Sequence, residues 1–149
     1  MAKTKRSVQK RLDGFVLDAS VALAWYFQDE AHPYAEAVAR SFPAFAAVVP
    51  TVWPLEVANA LLMAERRRRG TSATASQWAS YLAALPIAID DQSLGRVFGD
   101  VLSLARAHNL SVYDASYVEL AVRSGLPLAS LDERLRSAAR AAGVEMFKA

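Results

Sequence analysis

The chain has 149 residues, of which 54% are hydrophobic and 21% are charged, and it contains no cysteine. This length predicts a single domain with one core, and the apolar content excludes an intrinsically disordered chain. Because cysteine is absent, neither a disulfide framework nor a thiolate zinc site can form, and we expect a protein of the reducing cytoplasm.

Basic residues are concentrated at the amino terminus. Residues 1–14 carry five basic groups and one acid, which leaves a net charge of −2 for the remainder of a chain whose overall charge is +2. We therefore predict a basic tail over residues 1–14 and one folded domain over residues 15–149. Such a tail suits contact with a nucleic acid, although basic tails also serve solubility alone.

Strand and helix patterns alternate through the first half of the domain. In chain order they are a buried strand over Phe15–Asp18, helices over Ala19–Gln28 and Pro33–Phe42, a strand over Ala47–Pro50, and a helix from Pro54 to the run Arg66–Arg69. Proline suits the first turn of a helix, and cations followed by glycine mark its end.

The second half continues the alternation. It contains a helix over Ala73–Leu85, a strand over Pro86–Ile89, helices over Gln92–His108 and Ser111–Ser124, a strand over Leu126–Ser130, a helix over Asp132–Ala142 and a strand over Val144–Phe147. Strands separated by helices pair in parallel, so the pattern predicts a three-layer α/β/α sandwich with a mainly parallel central sheet. The longest uncharged run, residues 71–89, is interrupted by Thr, Ser, Gln and Pro, so it predicts no membrane span.

Four carboxylates stand where an apolar stretch meets a predicted helix, or in the first turn of one. They are Asp18, Glu56, Asp114 and Asp132, referred to below as the four acids. Ligands bind beyond the carboxyl ends of parallel strands, so all four can converge at one edge of the sheet. Oxygen ligands of this kind suit Mg²⁺ or Mn²⁺. Asp90 and Asp91 also follow a predicted strand, and spacing alone does not exclude them.

Each of the four acids also has a purely structural interpretation. Aspartate is a preferred N-cap, which would account for Asp18 and Asp132. Asp114 completes a capping-box pattern with Ser111, and Glu56 would be favoured by the dipole of its helix. The residues alone leave the metal site and the helix caps open as alternatives.

Four segments together resemble a known family. Val16–Ser20, Trp53–Leu61, Tyr113–Tyr117 and Gly125–Asp132 are similar, in order and spacing, to the successive motifs of PIN-domain ribonucleases. The closest likeness is to the VapC-type toxins of bacterial toxin–antitoxin pairs. The resemblance implies an α/β/α sandwich and a metal-dependent endoribonuclease, with an antitoxin partner and a homodimer as further expectations. Transfer or ribosomal RNA is the substrate expected for this family.

The resemblance also assigns roles to particular residues. The four acids fall on the acidic positions of the family and are expected to hold Mg²⁺ or Mn²⁺. Ser20 and Asn59 fall on polar positions that line such sites, while Ser130 stands where the family more often has threonine. The last of the four acids, Asp132, lies at the least uniform position of the family pattern. We set Asp90 and Asp91 aside mainly because of the resemblance.

Other residues have weaker functional interpretations. The run Arg66, Arg67, Arg68 and Arg69 would bind RNA phosphates, or would form a solvated helix end that complements the dipole. An aromatic-rich region contains Trp25, Tyr26, Phe27 and Trp53; most of it is expected in the core, and an exposed part would suit an antitoxin helix. The histidines, His32 and His108, are expected to have structural roles.

The sequence leaves two rival functions open. The first is a PIN-like module that keeps the fold and the acids but only holds RNA or a partner protein. The second is a different α/β metal phosphohydrolase that acts on a small molecule. The absence of a further series of Asp or His ligands weakens the second alternative.

Overall fold

A computed structural model describes residues 13–149, so nearly all of the predicted basic tail lies outside the described residues. The strands are β1 (Gly14–Leu17), β2 (Ala46–Pro50), β3 (Ile87–Asp90) and β4 (Leu128–Ala129). The helices are α1 (Ala19–Tyr26), α2 (Pro33–Ser41), α3 (Trp53–Arg66), α4 (Ser72–Ala84), α5 (Leu94–Arg96), α6 (Leu102–His108), α7 (Val112–Ser124) and α8 (Glu133–Ala141).

The four strands form one parallel sheet in the order β3-β2-β1-β4. Right-handed crossovers place α1–α4 on one face of this sheet and α5–α7 on the other. In agreement, α1 packs against α2 and α3, whereas α7 packs against α6 and α8. The predicted α/β/α sandwich is confirmed. The neighbouring strands β1 and β4 send their following helices to opposite faces, and parallel sheets bind ligands beyond the carboxyl ends of such a strand pair.

The core is built around β1, which has a strand on either side and helices on both faces. Phe15, Val16 and Leu17 are fully buried, and Tyr117 and Leu120 of α7 pack against them in the same cluster. This explains why the strand is an uninterrupted apolar run instead of an alternating one. Asp18, the first polar residue after the run, is thereby fixed at the edge of the core.

The predicted final strand over Val144–Phe147 is wrong. Only Met146 forms a bridge to Leu128, supported by hydrogen bonds from Leu128 N to Glu145 O (2.9 Å) and from Phe147 N to Leu128 O (2.8 Å). The reason is the length of the neighbour: β4 has two residues, where Leu126–Ser130 was predicted, and cannot support a longer ladder.

The observed helix also differs from the one predicted over Gln92–His108. It starts at Leu94, because the Ser93 hydroxyl accepts a hydrogen bond from Arg96 N and caps it. Between α5 and α6 it widens into a π-helical turn over Val97–Val101. No helix within the described part of the chain combines the length and apolar character needed to cross a bilayer.

Candidate metal centre

Asp18 joins β1 to α1 and is only 6% exposed. Its Oδ2 accepts hydrogen bonds from Ser20 Oγ (2.6 Å) and Ser130 Oγ (2.7 Å), and its side chain makes no cap bond to α1. Burial raises the pKa of this carboxyl; the two serine hydrogen bonds oppose the rise, and the charges of Asp114 and Asp132 add to it. The capping interpretation is therefore wrong for Asp18.

The same two serines connect the loops that follow β1 and β4. Ser20 Oγ accepts a hydrogen bond from Leu131 N (3.0 Å), and Ser130 Oγ accepts one from Asp132 N (3.0 Å). Each hydroxyl thus donates to Asp18 and accepts from the β4–α8 loop, so it satisfies both groups at once. The positions of Asp18 and Asp132 are consequently coupled.

Asp132 is the N-cap of α8. Its Oδ1 accepts hydrogen bonds from Arg134 N (3.0 Å) and Leu135 N (3.2 Å). The capping interpretation is confirmed for this residue. These bonds occupy one carboxylate oxygen, and Oδ2 accepts no hydrogen bond from the described residues, so a cap and a metal contact are compatible.

Glu56 lies in the first turn of α3, and its carboxylate is half-buried. Tyr117, a fully buried residue of α7, donates a hydrogen bond from its hydroxyl to Glu56 Oε1 (3.0 Å). Burial raises the pKa of Glu56 to about 7, although the Tyr117 hydrogen bond lowers it; the charges of Asp18 and Asp114 contribute to the rise. Close to neutral pH this group is poised between its two protonation states.

Asp114 lies in the first turn of α7, where Ser111 Oγ accepts a hydrogen bond from its backbone N–H (3.1 Å). Ser111 is therefore the N-cap, as the sequence pattern predicts. Burial raises the pKa of the Asp114 carboxyl, the charge of Asp132 adds to the rise, and Ser111 and the Arg134 charge oppose it. Arg134 is held by a hydrogen bond from its Nη2 to Asn109 O (2.9 Å).

The structure brings the four acids to one edge of the sheet, where they act on one another electrostatically. Arg134 is the only cation that offsets these pKa rises within the described residues. The donor set is made of hard oxygen ligands with excess negative charge, and it fits Mg²⁺ or Mn²⁺ by its chemistry. No three Asp, Glu or His side chains in residues 13–149 are already grouped as metal ligands, so these side chains would have to move closer together to hold an ion.

The remaining predicted site residues occupy different surroundings. Asn59 is exposed on α3, one turn after Glu56. Arg66, Arg67 and Arg68 are exposed at the other end of this helix, about 15 Å from Glu56 at 1.5 Å per residue. Arg69 is exposed as well, but it differs from these three in its contacts.

Arg69 turns back onto the segment that follows α1. Its Nη2 lies 3.1 Å from Asp29 Oδ2 and 3.2 Å from Glu30 Oε1, and its guanidinium lies 4.8 Å from the centre of the Phe27 ring. The arginine run is therefore exposed throughout, but Arg69 is already paired with two acids. Solvation of a helix end describes the first three, and an ion pair describes Arg69.

Asp90 belongs to a separate network away from the four acids. Arg123 bonds to Asp90 and, through Nε, to Glu119 Oε1 (2.7 Å), and Arg96 lies 3.6 Å from the same Glu119 oxygen. Glu119 is buried, so this network compensates a charge within α7. Asp91 is exposed in the loop that follows β3.

The histidines and two further residues complete the comparison with the sequence. His32 is the N-cap of α2, with Nδ1 accepting from Tyr34 N (3.1 Å), and His108 ends α6. Sequence reasoning missed Tyr117 and Arg134 as neighbours of the acids. Tyr117 follows Asp114 by three residues, a helical spacing that could have revealed it, but an apolar helix face made it look like core.

Comparisons with known proteins identify the family. The sequence profile of the PIN domain matches residues 15–141, so the chain belongs to the PIN-domain family. Within this family, it is 32% identical over 120 residues to Ribonuclease VapC3 of Pyrobaculum aerophilum, covering 80% of the chain and 90% of that protein.

Solved structures agree with this assignment. PAE2754 from Pyrobaculum aerophilum has a TM-score of 0.63 at 25% identity, over 86% of this chain and 80% of that one. A toxin–antitoxin complex from Klebsiella pneumoniae has a TM-score of 0.56 at 14% identity, over 79% of this chain and 86% of that one. The PIN-domain match and the 32% identity to Ribonuclease VapC3 confirm the predicted relationship to the VapC-type ribonucleases.

Proposed function

We propose that this protein is a Mg²⁺- or Mn²⁺-dependent endoribonuclease and the toxin of a type II toxin–antitoxin pair. The observation that carries the proposal is the meeting of the four acids at the edge of the sheet beyond β1 and β4, with the pKa of three of them raised. A cation is the natural compensation for this excess charge. The 32% identity to a protein named as a ribonuclease supports the same conclusion.

The proposed ligands are Asp18, Glu56 and Asp114, with Asp132 as a direct or water-mediated fourth. When bound, a divalent ion neutralises the scissile phosphate and activates a water for attack. Asp18 would bind through Oδ1, because its Oδ2 already accepts two hydrogen bonds. Glu56 would release its proton on binding, since ligand carboxylates must be ionised. Ser20 and Ser130 would hold Asp18 in place.

The substrate must approach against the charge of the four acids. Arg134 is a cation whose charge acts on Asp114, and its hydrogen bond to Asn109 O holds it close to the four acids. Arg66, Arg67 and Arg68 offer three further cations at the far end of α3. A polyanion such as transfer or ribosomal RNA is long enough to reach both places, as a small phosphate ester is not.

Metal-dependent cleavage of total RNA tests the proposal. We expect cleavage with Mg²⁺ or Mn²⁺, none with EDTA, and full recovery when the metal is restored. Asp114→Asn should lower the rate by more than the roughly 100-fold typical of changes behind a metal ligand. Asp91→Asn, which removes an exposed acid outside the site, is the matched control and should cleave normally. Cleavage that survives chelation would contradict the mechanism.

We propose that the antitoxin partner binds in an aromatic groove at the carboxyl end of α1. Two adjoining cavities, of about 580 and 470 Å³, share Trp25, Gln28 and Trp78 as lining residues. Tyr81 of α4, 45% exposed, lies along the second cavity. An apolar groove between helices suits an amphipathic helix, and one solved structure that shares the fold is a toxin–antitoxin complex. Trp53, in contrast, is buried in the core.

A homodimer is proposed as the assembled form. Leu94 and Phe98 lie four residues apart on one helical face and are 76% and 68% exposed. Leu55 on the first turn of α3 is 71% exposed. The adjacent pair Leu94 and Phe98 favours a protein contact, because large apolar side chains exposed side by side mark such sites. Light scattering of the purified chain measures the oligomeric state, and a monomer at all concentrations would refute the dimer.

The alternative is a catalytically silent PIN-like module that binds RNA or a partner. One observation favours it: within the described residues, no three acidic or histidine side chains are grouped as ready metal ligands. The same cleavage experiment separates the two functions. RNA binding without metal-dependent cleavage, and with no effect of Asp114→Asn, is the result expected for the silent module.

A further inference from the structure

Tyr117 combines full burial with a polar contact to one of the four acids. Its ring belongs to the core beside Val16, Leu17 and Leu120, while its hydroxyl donates to Glu56 Oε1 at 3.0 Å. This bond joins α7 to α3 across 61 residues of sequence. It is also the only hydrogen bond that the Glu56 carboxylate receives from the described residues.

Three of the four acids share one arrangement. Asp18 has Oδ2 bonded to two serines, Asp132 has Oδ1 bonded to two backbone amides, and Glu56 has Oε1 bonded to Tyr117. The second oxygen of each carboxylate accepts no hydrogen bond from residues 13–149. In each case, therefore, the protein fixes one oxygen and leaves the other available.

We propose that Tyr117 is a positioning residue that holds the Glu56 carboxylate, through Oε1, in the orientation that binds the metal through Oε2. The inference rests on the proposed function. Tyr117 cannot contact RNA or solvent, because it is fully buried, so it acts on the site only through Glu56. Partners of this kind behind metal ligands fix the ligand orientation and raise its affinity for the ion.

The chemistry around Glu56 explains why such a residue is needed. Glutamate has three rotatable side-chain bonds, and Glu56 is half-exposed, so its carboxylate has room to turn into solvent. Asp18 and Asp114 also repel it when no metal is bound. A hydroxyl anchored in the core opposes this movement, and it also stabilises the ionised carboxylate that the metal requires.

The test compares Tyr117→Phe with a matched control, Tyr34→Phe. Tyr34 also donates its hydroxyl to an oxygen of the chain, Phe147 O at 2.7 Å, but it does so away from the four acids. Binding of Mn²⁺ is measured directly from the electron paramagnetic resonance of the free ion. We expect Tyr117→Phe to weaken Mn²⁺ binding by about 10-fold or more, and Tyr34→Phe to bind as the wild type does.

A double-mutant cycle separates positioning from a general loss of structure. In the Glu56→Gln background Tyr117 has no charged ligand to position, so Tyr117→Phe should cause no further loss of Mn²⁺ affinity. An equal further loss in that background would overturn the proposal, as would unchanged binding in Tyr117→Phe alone. Urea denaturation of every variant verifies folding.

The outcomes also distinguish this inference from the proposed function. A wild-type protein that binds no Mn²⁺ would refute the metal site, and the positioning role would fall with it. A wild type that binds Mn²⁺, together with a Tyr117→Phe variant of equal affinity, would refute the positioning role alone and leave the metal site intact.

Discussion

Replacing Glu56 by glutamine removes one negative charge from the four acids while keeping the size of the side chain and an oxygen that can accept from Tyr117. Because the pKa of Glu56 is raised from 4.5 to about 7, the folded protein holds a proton that the unfolded chain releases between these pH values. The stability of the metal-free wild type must therefore fall as pH rises through this window. The Glu56→Gln variant does not show this fall in stability.

The magnitude follows from the same pKa values. One pKa unit corresponds to about 1.36 kcal/mol, so the difference between 4.5 and about 7 sets an upper limit of about 3.4 kcal/mol. Since the carboxylate is half-exposed, solvent screening reduces the effect to about 1–2 kcal/mol. We expect Glu56→Gln to be more stable than the wild type by this amount at pH 8, and equally stable at pH 4.

Urea denaturation at several pH values in EDTA measures the difference. Glu36→Gln is the matched control, because Glu36 is also a first-turn glutamate but lies on α2, exposed and away from the four acids. The Glu36→Gln variant should be no more stable than the wild type at pH 8. Saturating Mg²⁺ should reverse the order by stabilising the wild type more than Glu56→Gln, because ligand binding stabilises only the form that binds. Equal stabilities at pH 8 in EDTA would refute the reasoning.

Two further predictions concern cations elsewhere in the fold. Arg123→Met should lower the free energy of unfolding by about 3–5 kcal/mol in urea denaturation, because it leaves the buried Glu119 carboxylate without its closest partner. Arg96→Met, at 3.6 Å from Glu119, should cost clearly less, and equal losses would contradict the assignment. For the arginine run, replacing Arg66–Arg68 by glutamine should flatten the salt dependence of RNA binding by about 0.7 in logarithmic slope per lost phosphate contact. Arg69→Gln should change the slope less, because that side chain is already paired with acids; identical slopes for all variants would exclude the run from the RNA path.

The fold could be predicted from the sequence because its main signals are local. The apolar runs that became β1 and β2, and glycine at the end of α7, mark their elements without reference to the rest of the chain. The final strand over Val144–Phe147 could not be judged in this way. Whether an apolar segment becomes a strand depends on the length of its neighbour, and β4 offers only two residues.

The positions of the four acids were also accessible from sequence, because the carboxyl ends of parallel strands meet at one edge. Their orientations were not. Ser130 reaches Asp18 across 112 residues, and Tyr117 reaches Glu56 across 61, so no pattern along the chain shows which carboxylate either hydroxyl contacts. The catalytic role of these residues stays a prediction, and the contacts define which oxygens are available to test it.

Asp18 and Asp132 illustrate why the sequence alone could not separate the capping interpretation from the metal interpretation. Each follows a strand, precedes a helix and stands at the N-cap position, so local sequence treats them alike. Asp132 bonds to the amides of its own helix, whereas Asp18 bonds to no amide of α1 and instead accepts from two hydroxyls, Ser20 in the first turn of α1 and Ser130 after β4. A buried carboxylate that gives up its cap bond forgoes a local stabilisation of about 1 kcal/mol. The surroundings of Asp18 must replace that lost stabilisation. Ser130, which donates to Asp18 Oδ2 and accepts from Asp132 N, provides part of it. The remaining charge is what a cation at this edge would neutralise.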